Sequence, residues 1–393
     1  MVKNKKKVIL AYSGGLDTSC CVEWLKDRGF EVVCFSANLG SEFSPAQLKK
    51  KANKSKVKLF IKDLKKEFAN EYILSSLKAN ALYQGKYLLS TALGRPLIAK
   101  HLVGVAKKEK ASFIAHGCTA KGNDQVRFEI TAKALNPKLN IIAPLREWEL
   151  TSRESEIAYA KSKKIPIETT KKKIYSIDKN IWGVSIEAGI LENLANEPKE
   201  DAFIFTKGLK KAPADAQYID IEFIKGKPVK LNGRTVDLVS LIEKLNTIGG
   251  KHCIGRTDLI EDRTVGIKSR EVYEAPAAWI LYTAHKELES LVLDKEALYF
   301  KELAALKYAQ LVYQGLWFSH LKESLDKFID STQEKVSGKI TLKLYKGNII
   351  ICKRKSKHSL YKEELATYGR KDKFDRSWAQ GFITIWGMPF TSK

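Results

Sequence analysis

Two short stretches carry side chains whose types and spacing could do chemistry. The first is Ser13-Gly14-Gly15-Leu16-Asp17-Thr18-Ser19, directly after the apolar run Val8-Ile9-Leu10-Ala11-Tyr12. Paired glycines let a backbone turn with positive φ and approach a ligand closely. If a helix opens there, its first amides are unpaired and carry about half a positive charge. Serine and threonine hydroxyls add donors, and the whole suits a polyphosphate. The spacing is not G-x-G-x-x-G, and the lysine of a Walker loop is missing. A plain strand-to-helix turn capped by Asp17 or Thr18 is the alternative. The second stretch, residues 116–128, reads HGCTAKGNDQVRF. Asn123 and Arg127 stand at i, i+4 and would share a helix face. With Thr119 and Lys121 beside them they offer a site for carboxylates, which a planar guanidinium grips with two hydrogen bonds. The alternative is a polar helix start capped by Asn123 or Asp124.

These stretches need elements to position them. Apolar runs predict strands at 8–11, 31–37, 58–63, 111–116 and 140–143. Between them, helices are expected at 18–28, 45–54, 92–110 and 124–135. The alternation predicts an α/β fold with a doubly wound parallel sheet, whose ligands sit at the carboxyl ends of the strands. Both chemical stretches fall at such ends. After about residue 170 the pattern changes to α+β. Hairpins are expected at 218–224/228–232 and 339–346/349–353, with helices chiefly at 277–292 and 297–328. The residues from 360 onward read as a polar tail containing aromatics. The expected division is 1–168, 169–359 and 360–393.

The chain has 393 residues, 44% hydrophobic and 29% charged, enough for more than one globular domain. No stretch approaches the roughly 20 apolar residues of a membrane span. The start is basic and then apolar, as in a signal peptide, but it breaks at Ser13 and no small-residue cleavage site follows. A cytoplasmic protein is expected. Six cysteines, Cys20, Cys21, Cys34, Cys118, Cys253 and Cys352, form no C-x-x-C pair and no zinc spacing, so reduced thiols and no metal site are expected. The net charge of +24 attracts anions. Its lysines are scattered, without interleaved aromatics, and no nucleic acid partner is expected.

The first loop resembles the pyrophosphate loop of the N-type ATP pyrophosphatases, which split ATP between the α and β phosphates. AYSGGLDTS at 11–19 and HGCTAKGNDQVRF together resemble the argininosuccinate synthase family, whose second signature is HGATGKGNDQVRF. SANLG at 36–40, ALYQGKYLLSTALGRP at 81–96, NIWGVSIEAGILEN at 180–193 and GRTDLIEDRTVGIKSREVYEAP at 255–276 extend the resemblance over about residues 6–365. A tRNA-modifying relative would want a cysteine pair for sulfur relay, which is missing. A non-catalytic ATP-binding protein would not need both residue sets.

The resemblance implies an adenine nucleotide alpha hydrolase-like nucleotide domain, an α+β synthetase domain and an oligomerising C-terminal tail. It implies ligation of citrulline to aspartate with ATP, through a citrullyl-adenylate, in arginine biosynthesis. Ala11, Tyr12, Ser13, Gly14, Gly15, Leu16, Asp17, Thr18, Ser19, Ala37 and Gly117 would hold ATP, with Mg2+ expected alongside it. Thr119, Asn123 and Asp124 would hold aspartate. Tyr87, Thr91, Asn123, Arg127, Ser176, Ser185, Glu261 and Tyr273 would hold citrulline. Asp17, Asp124 and Arg127 would be catalytic, and the assembly a homotetramer. Cys118, Ala120, Asp262, Ile267 and Glu271 stand where the family usually has other residues. Residue by residue there are plainer readings: half-buried aromatics at Tyr87 and Tyr273, turn residues at Ser176 and Ser185, and a surface ion pair of Glu261 with Arg263 or Arg270.

Overall fold

The computed structural model describes residues 6–41, 44–165 and 175–391. Five parallel strands, β1 (Lys7–Ala11), β2 (Glu31–Asn38), β3 (Lys58–Asp63), β4 (Phe113–Ala115) and β5 (Asn140–Ile142), lie in the order β3-β2-β1-β4-β5. The continuous apolar run of β1 reflects burial on both faces. Val8 and Leu10 pack with Cys20, Cys21, Trp24 and Leu25 of helix α1 (Leu16–Asp27). Ile9 points the other way, to Leu93 and Leu97 of the helix Ser90–Lys108. The strand order reverses beside β1, which opens a crevice beyond the carboxyl ends of β1 and β4. The strands and helices expected up to residue 143 are all present, with ends shifted by at most two residues.

The rest of the chain builds two antiparallel sheets. Strands β6 (Ser176–Asn180), β7 (Gly183–Glu187), β11 (Arg256–Asp262) and β12 (Lys268–Glu274) form one, ordered β11-β12-β7-β6. Strands β8 (Gln217–Ile224), β9 (Lys227–Leu231), β10 (Arg234–Thr235), β13 (Gly338–Tyr345) and β14 (Asn348–Lys355) form the other, ordered β10-β9-β8-β13-β14. Both expected hairpins are in this second sheet. One apolar core runs from Ile9 and Leu93 through Ile181 and Trp182 to Ile219, Leu281 and Ile340, so the parallel and antiparallel parts are packed on each other.

Two expectations are corrected. The helix expected over 297–328 is two helices, Lys295–Tyr313 and His320–Thr332. Gly315 takes φ +78, and the Leu316 amide bonds back to the Leu311 carbonyl at 2.8 Å, the closure that ends a helix at a left-handed residue. The tail is not simply polar. Ser377–Thr391 is a helix, and Trp378, Phe382, Ile383, Ile385, Trp386, Met388 and Phe390 on it are exposed. The expected boundary at 168/169 lies outside the described residues. Among the described residues no helix is long and apolar enough to cross a membrane.

Candidate active site

The loop after β1 is shaped by its glycines. Gly14 has φ +76, and a Cβ there would lie 2.3 Å from Leu48 Cδ2 of helix α2 (Pro45–Lys54). Lys51 of α2 donates to the Gly14 carbonyl at 3.0 Å, the Tyr12 amide donates to Phe35 at 2.8 Å, and Ser36 donates to the Tyr12 carbonyl. Ser13 and Thr18 hydroxyls meet at 3.1 Å across the turn. Gly15 is the N-cap of α1 and supplies no side-chain acceptor to the first-turn amides. That geometry suits an anion at the helix start.

A cavity of about 590 Å³ opens here. Ala11, Tyr12, Ser13, Gly14, Gly15 and Thr18 line one end, with Ala37 and Gly117 beside them. Leu16, Asp17 and Ser19 do not line it; Ser19 is buried with its hydroxyl 3.4 Å from that of Tyr12. Asp17 is hydrogen-bonded instead to Glu156, in the helix Arg153–Ser162. Burial, followed by the nearby Asp17 charge, pushes Glu156 up to about 8.

Thr119, Asn123, Asp124 and Arg127 line the middle of the cavity. Gly122 is the N-cap of the helix Asn123–Leu135, so neither Asn123 nor Asp124 is spent on capping. Arg127 Nη1 bonds Asp124 Oδ1 at 3.0 Å, and Arg95 Nε bonds Asp124 Oδ2 at 2.8 Å. Arg95 also pairs with Asp178 of β6. Burial opposes the Asp124 charge, yet the two guanidinium groups hold this carboxyl below the usual range.

The far end is a tyrosine array. Tyr87 Oη accepts the amides of Thr91 at 3.0 Å and Ala92 at 3.2 Å, and lies 2.6 Å from Thr91 Oγ1. It caps the helix Ser90–Lys108, whose N-cap Leu89 is left-handed and offers no side-chain acceptor. The Tyr87 ring stacks on Tyr273 with centroids 4.1 Å apart. Tyr273 donates to Glu261 Oε2 at 2.6 Å, and Tyr313 donates to Glu261 Oε1 at 2.5 Å. Glu261 is only 2% exposed, and burial raises its pKa against the pull of both phenols and Arg127.

The plainer reading of Glu261 as a surface ion pair is therefore excluded. Arg270 pairs with Asp258, and Arg263 Nη2 bonds Glu187 and Glu271, each at 2.7 Å. Burial and the Glu187 charge push Glu271 up to about 9. Tyr87, Thr91, Ser185, Glu261 and Tyr273 all line the cavity; Ser176 does not and is exposed at the start of β6. Arg95, Asp178, Glu187 and Tyr313 escape the sequence reading. For Tyr313 one signal was available: Gly315 interrupts a long helical pattern just after it.

The cavity thus has an anion cradle at one end, a carboxylate–guanidinium cluster in the middle and a buried glutamate under two phenols at the other. Residues 7–166 match the family described as the arginosuccinate synthase N-terminal HUP domain, and residues 175–392 the arginosuccinate synthase C-terminal domain. The argininosuccinate synthase of Carboxydothermus hydrogenoformans is 52% identical over 386 residues, covering 98% of this chain and 96% of that protein. That of Caldanaerobacter subterraneus subsp. tengcongensis is 54% identical over 385 residues, covering 98% and 94%. That of Thermoanaerobacter sp. is 53% identical over 390 residues, covering 99% and 95%.

Proposed function

The chain belongs to the argininosuccinate synthase family, and from that premise we propose that this one cavity joins citrulline to aspartate with ATP. It is an ATP-dependent carbon–nitrogen ligase of arginine biosynthesis. The observation that carries the finer reading is the shared cavity: the glycine loop, Asn123–Asp124–Arg127 and Glu261–Tyr273 all line the same space.

In this reading ATP lies along Ala11–Gly15 and Thr18, with Ala37 and Gly117 at the adenosine. Leu16, Asp17 and Ser19 act through the helix start rather than by contact. Thr119, Asn123 and Asp124 hold aspartate. Tyr87, Thr91, Asn123, Arg127, Ser185, Glu261 and Tyr273 hold citrulline; Ser176, off the cavity, is the weakest member of the set.

The ureido carbon of citrulline is resonance-stabilised and its oxygen leaves poorly. That oxygen attacks the α phosphorus of ATP, the α–β P–O bond breaks, and pyrophosphate departs. The product is a citrullyl-adenylate. The aspartate amine then attacks the ureido carbon, the C–O bond breaks, and AMP leaves carrying the former ureido oxygen. The amine must arrive neutral. Asp124, kept ionised by Arg95 and Arg127, is a weak base, so its part is to orient the amine and to stabilise positive charge as the new bond forms. Positioning two small substrates against one phosphate supplies most of the remaining acceleration.

Magnesium enters with ATP, as counter-charge to the triphosphate. Among the described residues no group of three or more His, Cys, Asp or Glu could hold a metal unaided. A cytoplasmic location is supported by six free cysteines, and a homotetramer by the exposed apolar helix Ser377–Thr391. The start of β6 at Ser176 and the end of β14 at Lys355 support boundaries near 168 and 359.

The test is pyrophosphate release with ATP, magnesium, citrulline and aspartate, omitting each in turn. Sustained release that needs both amino acids supports the reading; release indifferent to aspartate contradicts it.

A further inference from the structure

We propose that Tyr313, which does not line the cavity, is a positioning residue that fixes both amino-acid subsites at once. This rests on the assignment of Asn123 and Glu261 above. The Tyr313 hydroxyl sits between them: it accepts from Asn123 Nδ2 at 2.8 Å and donates to Glu261 Oε1 at 2.5 Å. Asn123 Oδ1 is taken by the Thr264 amide at 2.8 Å, so the Asn123 side chain has one orientation, with its NH2 toward the phenol. Every hydrogen bond in this line runs toward Glu261, whose other oxygen accepts from Tyr273. One phenol therefore orients the amide of the aspartate subsite and satisfies half of the carboxylate of the citrulline subsite.

The main chain of the same residue contributes separately. Arg127 Nε donates to the Tyr313 carbonyl at 2.9 Å, and the guanidinium lies 4.9 Å from the Tyr313 ring centre. Tyr83 stacks on the ring at 3.6 Å, which holds it in plane. Among the described residues no hydrogen bond or ring contact joins Tyr313 to the glycine loop, so the proposal leaves the ATP end unaffected.

The experiment is steady-state kinetics of Tyr313→Phe, which keeps the ring, its stacking and its carbonyl and removes only the hydroxyl. A hydrogen bond to a buried carboxylate and a stranded amide are lost together, so KM for citrulline and for aspartate should each rise about tenfold. KM for ATP should not move, and the acid limb of kcat/KM for citrulline should shift to higher pH as Glu261 loses a donor. Tyr273→Phe should raise KM for citrulline but not for aspartate. Unchanged amino-acid KM values, with only a lower kcat or melting temperature, would mean a merely structural tyrosine and overturn the proposal. If Tyr313→Phe does not fold, 4-fluorophenylalanine at 313 fills the volume of the hydroxyl without its proton. KM for citrulline should then rise about tenfold with KM for ATP unmoved, and unchanged amino-acid KM values overturn the proposal. If wild type itself fails to need both amino acids, the assigned function fails rather than the role of Tyr313.

Discussion

A Cβ atom on Gly315 would lie 2.7 Å from the Cα of Arg127. The turn that ends the helix Lys295–Tyr313 is thus pressed directly on the helix that presents Arg127 to the cavity. Gly315→Ala meets two obstacles, since φ there is +78 and the neighbour is backbone. We expect a stability loss of about 1–3 kcal/mol. A lower kcat/KM for citrulline should accompany it, because Arg127 has to shift. Melting temperature and citrulline kinetics check this; a stable variant with unchanged kinetics contradicts it.

Gly14→Ala should act at the other end. Its φ of +76 disfavours any L-residue, and Leu48 occupies the space a methyl would need. Leu48 Cδ2 is the tip of a flexible side chain and can move, so the fold should survive. KM for ATP should rise about tenfold, equivalent to about 1.4 kcal/mol, with both amino-acid KM values unmoved.

Glu156 makes stability depend on pH. Its carboxyl, raised to about 8, holds a proton that the unfolded chain has released above the ordinary value near 4.5. The folded state therefore binds more protons between about 4.5 and 8. This contribution to stability is complete below that window and falls as pH rises through it. Glu156→Gln should flatten the decline, and the variant should melt a few degrees above wild type at pH 8. Parallel melting curves for the two proteins from pH 5 to 8 would contradict the assignment.

Glu271, raised to about 9, is a neutral acid at pH 7 beside Glu187 and Arg263. Glu271→Gln should then be tolerated at neutral pH, with kcat/KM for citrulline within about threefold of wild type. An alkaline fall near pH 9 in the wild type should be weaker in the variant. A large loss at pH 7 would show that the ionised carboxylate matters.

The sequence exposes the glycine loop and the Asn123–Arg127 face because their chemistry is local: a strand, a turn and a helix start within a few residues. It hides the sheet ordered β11-β12-β7-β6 for the opposite reason. Glu261 and Glu274 occupy buried positions where alternation calls for apolar side chains, and this masks the period of β11 and β12. Glu274 is itself structural, accepting the amides of Ile204, Phe205 and Thr206. Tyr313 depends on partners 186 and 190 residues away, and no spacing rule reaches that far. The apolar content of the tail is plain in residues 377–391, but Gly381, Gly387 and Pro389 within it argue against a helix.

In the proposed reaction one cavity adenylates the ureido oxygen of citrulline and then displaces it with aspartate. Citrulline labelled with 18O at that oxygen tests this most directly, with ATP, magnesium and aspartate present. The label should appear in the phosphate of AMP, one atom for each argininosuccinate formed. Unlabelled AMP, with the isotope in pyrophosphate or water, would contradict it.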